Sequence, residues 1–174
     1  MDFSKRAGFT LIELIVVIII LGILAVSVFT RFDGTSGYAE YTYQARLISS
    51  LRNMQQRAMQ DTRKDFCFQI NFSSSPVAFG PPSLSYNPGD ATATCSTSID
   101  HSNPDYLSTS ASEMSDEGVV FGSLPFNFIG FDSLGRPLTE NIASPNCGSG
   151  CQVDFVAQET VSVCIESEGY IHVC

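Results

Sequence analysis

Glu13 is an acid inside an otherwise uncharged run, Phe9 to Phe29, of 21 residues. As a helix that run is about 31 Å long, the thickness of a bilayer's hydrocarbon core. A carboxylate in such a segment costs about 2–3 kcal/mol even on lenient insertion scales, so it needs a compensating partner. Snorkelling relieves part of the cost, because Glu13 lies only about 6 Å along the axis from Phe9. Lys5 and Arg6 stand just before the run, and Gly8-Phe9 forms its junction with the polar leader. This set of residues is suited to charge pairing rather than to turnover of a substrate. A plain signal-anchor with its basic flank on the cytoplasmic side accounts for the run but not for Glu13. A cleavable secretory signal would use Ala25-Val26-Ser27, yet the run is long for an apolar signal core of roughly 7–15 residues.

Six cysteines, Cys67, Cys95, Cys147, Cys151, Cys164 and Cys174, all follow the apolar run. That placement suits disulfides in an oxidising compartment. Cys164 and Cys174 bracket a hairpin centred near Gly169, and Cys147-Gly-Ser-Gly-Cys151 is able to close a small loop. These two pairs leave Cys67 with Cys95; the open alternative has Cys147 or Cys151 reaching Cys95. Zinc is the rival reading, but Cys-x3-Cys with a distant His172 is not a four-ligand spacing. His101 beside Asp100 has no nucleophile-elbow motif near it, so no catalytic Ser-His-Asp set is expected. Asp90, Asp100 and Asp105 match no calcium-loop spacing, and there is no phosphate loop or dinucleotide fingerprint. The expectation is a chain with no catalytic residue, no cofactor and no metal.

The stretch Lys5-Arg6-Ala7-Gly8-Phe9-Thr10-Leu11-Ile12-Glu13-Leu14 resembles the processing signal of type IV prepilins and type II secretion pseudopilins. The resemblance implies that prepilin peptidase cuts between Gly8 and Phe9 and that the new amine of Phe9 is methylated. It also implies an assembly role for Glu13. An ammonium on Phe9 buried among apolar helices would cost several kcal/mol unpaired, and the Glu13 carboxylate of a neighbouring subunit can neutralise it. The implied partners are other pilin subunits, prepilin peptidase, an inner-membrane assembly platform and, before assembly, inner-membrane lipid. The implied location is a single-pass inner-membrane precursor that passes into a periplasmic and surface pilus.

The elements that position these residues follow from periodicity. Residues 1–8 are a leader and 9–29 a transmembrane and assembly helix. Residues 30–37 are a flexible segment, because Gly34 and Gly37 each cost about 1 kcal/mol in a helix. Residues 38–65 read as an amphipathic helix whose stripe is Leu47, Leu51, Met54 and Ala58, widened by Tyr41, Ala45, Ile48 and Met59. Arg46, Arg52 and Arg57 fall on the face expected to be solvated. Residues 66–174 read as a β-rich, disulfide-containing body. Phe66, Phe68, Ile70 and Phe72 alternate on one face of a first strand. Further strands are expected over 119–121, 126–131, 152–157, 160–165 and 170–173. Ser83 to Asp116, with 13 Ser or Thr, reads as a long surface loop. The fold class is α+β: a long N-terminal helix, membrane-spanning then amphipathic, packed on an antiparallel β-rich body.

The body's Phe131-Asp-Ser-Leu-Gly-Arg-Pro137 is locally a tight turn, with Arg136 as an ion-pair residue. It also resembles the Phe-x-x-x-Gly-Arg turn of sheet-rich minor pilins and pseudopilins. The ending Cys164 to Cys174 is similar to that subgroup's terminal hairpin, and the helix and cysteine-rich body look most like a minor pilin of the mannose-sensitive haemagglutinin class. The implied function is a minor pilin that primes assembly or sits near the tip, with a type II secretion minor pseudopilin as the alternative.

From another class, a DNA-uptake or adhesive pilin binds DNA or a surface receptor, the receptor through Ser83 to Asp116 with Tyr86 and Tyr106. Charge argues against DNA. The chain has 18 acids and 9 bases, and from Phe66 onward 12 acids face Arg136 alone. So acidic a body repels nucleic acid and anionic surfaces.

Overall fold

The structure, a computed structural model, describes residues 10–32 (side chains through Leu24), 37–61, 67–83, 95–99, 101, 107–139 and 147–174. The chain divides into two units, Met1–Ser36 and Gly37–Cys174. The first contains α1, Leu11–Phe32, which continues through Thr30 and Arg31 into the segment expected to be flexible. Every described side chain of α1, from Leu11 to Leu24, is exposed. Among the described residues no helix is long and apolar enough to cross a membrane. Gly34 lies outside the described residues.

The second unit begins with α2, Ala39–Gln60. The helix stops short of the expected Asp65: Asp61 is extended (φ −87°, ψ 126°), and its N–H caps the Arg57 carbonyl. Asp is a weak helix former whose side chain competes for backbone groups, which favours an end there. Arg63 and Lys64 lie outside the described residues. Leu47, Leu51, Met54 and Ala58 are buried as the stripe requires, but its flank differs from expectation. Tyr41, Ala45 and Met59 are exposed, whereas Glu40, Tyr43, Gln44 and Ser50 are buried.

The strands are β1 (Gln69–Ser74), β2 (Val77–Gly80), β3 (Val120–Phe121), β4 (Phe128–Phe131), β5 (Pro137–Leu138), β6 (Cys151–Val156), β7 (Thr160–Ile165) and β8 (Ile171–Val173), with a short helix α3 (Glu113–Asp116) before β3. They form two four-stranded sheets, β2-β1-β4-β5 and β3-β6-β7-β8, and every pairing between strands is antiparallel. The body is α+β, with α2 packed on strands of both sheets. Rings from the two sheets meet in one cluster: Phe72 lies edge-on to Phe121 at 5.6 Å, and Phe79 to Phe155 at 6.1 Å. Such aromatic pairs add about 0.5–1.5 kcal/mol each beyond area burial.

β1 departs from simple alternation. Ile70 and Phe72 face the core, yet Gln69 and Asn71 on the other face are buried too. A strap over 95–99 covers them. Asn71 Nδ2 donates to the Ser96 and Ser98 carbonyls at 2.7 and 3.2 Å, and Gln69 Nε2 donates to Asn71 Oδ1 at 2.6 Å. A buried amide is tolerated only when its hydrogen bonds are made, and here they are.

Part of the expected Ser83 to Asp116 loop is likewise folded. Leu107 and Thr109 are fully buried, Thr109 exchanges hydrogen bonds with the Phe79 backbone on edge strand β2, and Met114 of α3 enters the core. Covering an edge strand in this way removes a template for unwanted pairing.

Leu47, on the buried stripe of α2, is fully buried. Leu47→Ala is expected to destabilise the body by about 2–5 kcal/mol, read as a fall in the urea midpoint of the full chain in detergent. Leu134→Ala, at an exposed turn position, is expected to stay within about 0.5 kcal/mol.

Candidate functional site

Glu13 sits in the first turn of α1. Leu14 N–H makes the first helical hydrogen bond, to the Thr10 carbonyl at 3.3 Å, and Glu13 N–H is 3.3 Å from Thr10 Oγ1. Thr10 is therefore the N-cap, and Thr10-x-x-Glu13 has the spacing of a capping box. The sequence carries this signal at Thr10 and Glu13, beside the apolar run. A helix N-terminus also favours a carboxylate, since four unpaired N–H groups and the dipole point at it. Glu13 is exposed. Gly8 and Phe9 lie outside the described residues.

In the body, the side chains that hold distant segments together project from α2. Arg46 Nη1 pairs with Glu113 Oε1 at 2.6 Å, and its Nη2 donates to the Ser108 carbonyl. Tyr43 Oη donates to the Glu113 carbonyl at 3.1 Å and Ser50 Oγ to the Leu107 carbonyl at 3.0 Å. Burial, with the charges of Glu117 and Glu113, raises the Tyr43 phenol well above its ordinary range. Arg52 Nη2 donates to the Ile171 carbonyl at 2.8 Å. Arg52 and Arg57 are exposed, as expected of a solvated face, and Arg46 is half-buried; Arg46 and Arg52 in addition reach carbonyls within the chain. The reason is physical: long side chains at the edge of a buried stripe reach loop carbonyls that sequence does not bring near them.

Gln55 closes the arrangement. Its Nε2 donates to the Gly135 carbonyl at 2.8 Å and to the Gly169 carbonyl at 2.7 Å. The two turns it joins are alike in sequence and form. In Asp132-Ser-Leu-Gly-Arg136, Gly135 N–H donates to the Asp132 carbonyl at 2.9 Å. In Glu166-Ser-Glu-Gly-Tyr170, Gly169 N–H donates to the Glu166 carbonyl at 2.8 Å. Both glycines have positive φ, +80° and +92°, as a type I turn followed by a left-handed residue requires. They also meet: a Cβ on Gly169 would lie 2.1 Å from the Gly135 carbonyl oxygen.

Arg136 pairs with Asp132, Nη2 to Oδ2 at 2.7 Å, and Asp132 Oδ1 accepts the Leu134 and Arg136 N–H groups at 2.9 Å. Burial works to raise the Asp132 carboxyl, but the backbone and guanidinium donors of Arg136 and the Leu134 N–H outweigh it and hold it below its usual value. A half-open cleft of about 340 Å³ lies beside the turns, lined by Asp132, Arg136, Pro137, Leu138, Cys147, Gly148, Ser167 and Glu168.

The structure joins Cys67 to Cys95, Cys147 to Cys151 and Cys164 to Cys174, with Cα separations of 5.3, 4.9 and 5.2 Å, so no thiol is free. The first bridge anchors the strap over Gln69 and Asn71. Among the described residues no group of His, Cys, Asp and Glu converges as metal ligands would. His172 contacts the Val173 carbonyl and the Glu166 carboxylate.

Residues 3–29 match the family model of the prokaryotic N-terminal methylation motif. The chain carries a type IV prepilin-like motif. That motif spans Gly8, Phe9 and Glu13 and the apolar run, and it indicates a type IV pilin- or pseudopilin-like precursor. Comparison with curated proteins and with solved structures gives no match. The motif ends where the run ends, so the body is described by its own geometry alone.

Loss of Gln55's amide leaves two half-buried carbonyls without their donor, at about 1–3 kcal/mol. Gln55→Ala is expected to lower the urea midpoint accordingly. Gly169→Ala, opposed by both φ and the Gly135 carbonyl, is expected to cost more than Gln55→Ala in the same measurement.

Proposed function

We propose that the chain is a minor pilin of a type IV-like pilus, made as a single-pass inner-membrane precursor. Prepilin peptidase cuts it between Gly8 and Phe9, Phe9 is methylated, and the mature helix packs among the helices of other pilin subunits. The observation that carries this reading is the methylation motif at residues 3–29, placed on a helix whose described apolar side chains are all exposed. Fourteen consecutive exposed positions, Leu11 to Leu24, with Glu13 as their sole charge, are unstable in water. They are satisfied by lipid before assembly and by neighbouring helices after it. Near the start of that helix, Glu13 of one subunit neutralises the Phe9 ammonium of the next, and this pairing sets the stagger of the helices.

The body suits a low-abundance position that primes assembly or lies near the tip, and its helix and cysteines resemble a minor pilin of the mannose-sensitive haemagglutinin class. A type II secretion minor pseudopilin is the second reading; the same motif and the Phe-x-x-x-Gly-Arg turn at Phe131 to Arg136 favour it equally. A DNA-uptake role is disfavoured by residues 66–174, where 12 acids face Arg136 as the one base. Among the body's arginines, Arg46, Arg52 and Arg136 are already engaged within the chain. An adhesive role would fall to the cleft beside Arg136 or to the Ser83 to Asp116 segment, much of which lies outside the described residues. No enzymatic activity is proposed.

N-terminal sequencing of the mature chain tests the reading. A start at methylated Phe9 is the expected result, whereas a start at Val28 means an ordinary secreted protein and an intact Met1 a static anchor. Glu13→Val is expected still to be cut after Gly8 but to be largely lost from sheared filaments, measured by immunoblot of filament and membrane fractions. Wild-type recovery in the filament fraction would remove the assembly role of Glu13.

A further inference from the structure

β8 is the outer strand of its sheet, and its pairing with β7 decides which backbone groups face outward. Glu166 N–H donates to the Tyr170 carbonyl at 2.9 Å and Cys174 N–H to the Ser162 carbonyl at 3.2 Å, in register with Cys164 opposite His172. By alternation, the carbonyls of Ile171 and Val173 point away from β7. They are the acceptors that an added strand would need. Both are occupied by side chains of the protein itself. Arg52 reaches the Ile171 carbonyl at 2.8 Å, and His172 Nδ1 lies 2.7 Å from the Val173 carbonyl.

The other nitrogen of the same ring, His172 Nε2, is 3.1 Å from Glu166 Oε1. Neither a carbonyl nor a carboxylate oxygen donates a hydrogen bond, so both contacts are satisfied only when both ring nitrogens carry hydrogen. The geometry is that of an imidazolium, stacked on the Tyr170 ring at 4.8 Å. The groups around it are accounted for element by element. Glu166 at the end of β7 is in contact, and Glu168 follows in the same turn. Arg52 comes from α2 to the neighbouring carbonyl. On the sheet face, Cys164 separates His172 from Gln152 of β6, whose amide is bound to Asp154.

We propose that His172 is a pH-dependent latch on the β8 edge. Protonated, it bridges the Glu166 carboxylate and the Val173 carbonyl, and with Arg52 it leaves no outward acceptor free on β8. Neutral, the ring has one N–H for two acceptors. The charge-assisted bond to Glu166 is the stronger and is kept, so the Val173 carbonyl loses its donor and the edge opens.

The Glu166 hydrogen bond, then the Val173 carbonyl, raise the proton affinity of the ring against a smaller opposing effect of burial. A group whose proton affinity is raised by folding stabilises the fold fully below its unfolded pKa, about 6.5. That contribution disappears as pH rises through the folded value.

NMR titration of the full chain in detergent micelles tests the latch, with the His101 signal assigned through His101→Gln. The expected midpoint for His172 lies above 6.5, and Glu166→Gln moves it down toward 6.5 without loss of the native spectrum. The thermal midpoint is expected to fall as pH rises through the His172 titration, and this slope to vanish in His172→Gln. A His172 midpoint at or below 6.5 in the unaltered chain, or one that Glu166→Gln leaves unmoved, would overturn the proposal.

Discussion

The body depends on a single constraint: α2 has to bury one stripe under two sheets while giving hydrogen bonds to loops on both sides of it. Apolar burial alone would let the sheets slide over a smooth helix, because hydrophobic attraction has no direction. Direction comes from the polar residues flanking the stripe. Gln44 donates to the Ser162 carbonyl on β7 at 2.7 Å. Ser50 and Arg46 fix the segment before α3, Arg52 fixes β8, and Gln55 fixes the two turns. Each acceptor is a backbone carbonyl, and the loss of a hydrogen bond to a half-buried carbonyl with no other donor costs about 1–3 kcal/mol. These contacts make the register of the helix specific.

How much of this was legible in sequence follows from the same distinction. Leu47, Leu51, Met54 and Ala58 declare themselves by spacing, because a buried stripe repeats with the helix. β7 was legible to the residue, 160–165, since it alternates and ends at turn residues. Tyr41 and Met59, in contrast, are apolar residues that stay exposed, while Glu40 and Gln44 go inside. Their fate is set by what lies opposite: the Glu159 backbone for Glu40 and the Ser162 carbonyl for Gln44. No periodicity carries that information. β1 shows the point most clearly. Its alternation predicts one wet face, but the Cys67–Cys95 bridge brings a strap over Gln69 and Asn71 and makes both faces dry.

The N-terminal region was legible for the opposite reason. Its information is local: Gly8, Phe9, Thr10 and Glu13 lie within one short stretch, and their spacing is itself the signal. The helix that follows gives the stretch its physical meaning. A carboxylate at the third position of a capped helix is favoured by the free N–H groups around it. Glu13 therefore stands in the first turn of α1, where a carboxylate suits the helix better than at mid-helix.

Charge connects the two ends of the molecule. Net charge presents the chain as acidic with a basic minority, but three of those bases are engaged within the chain. Arg46 is bound to Glu113, Arg52 to the Ile171 carbonyl and Arg136 to Asp132. Each engaged arginine covers an acceptor, a carboxylate for Arg46 and Arg136 and an edge-strand carbonyl for Arg52. What the body offers to a neighbour is then acidic and hydroxyl-rich surface, on a disulfide-braced frame whose β8 edge is closed by Arg52 and His172. Such a surface does not attract polyanions and does not recruit strands at random. In contrast, the described side chains of α1 from Leu11 to Leu24 present an exposed apolar surface with Glu13 as its sole charge.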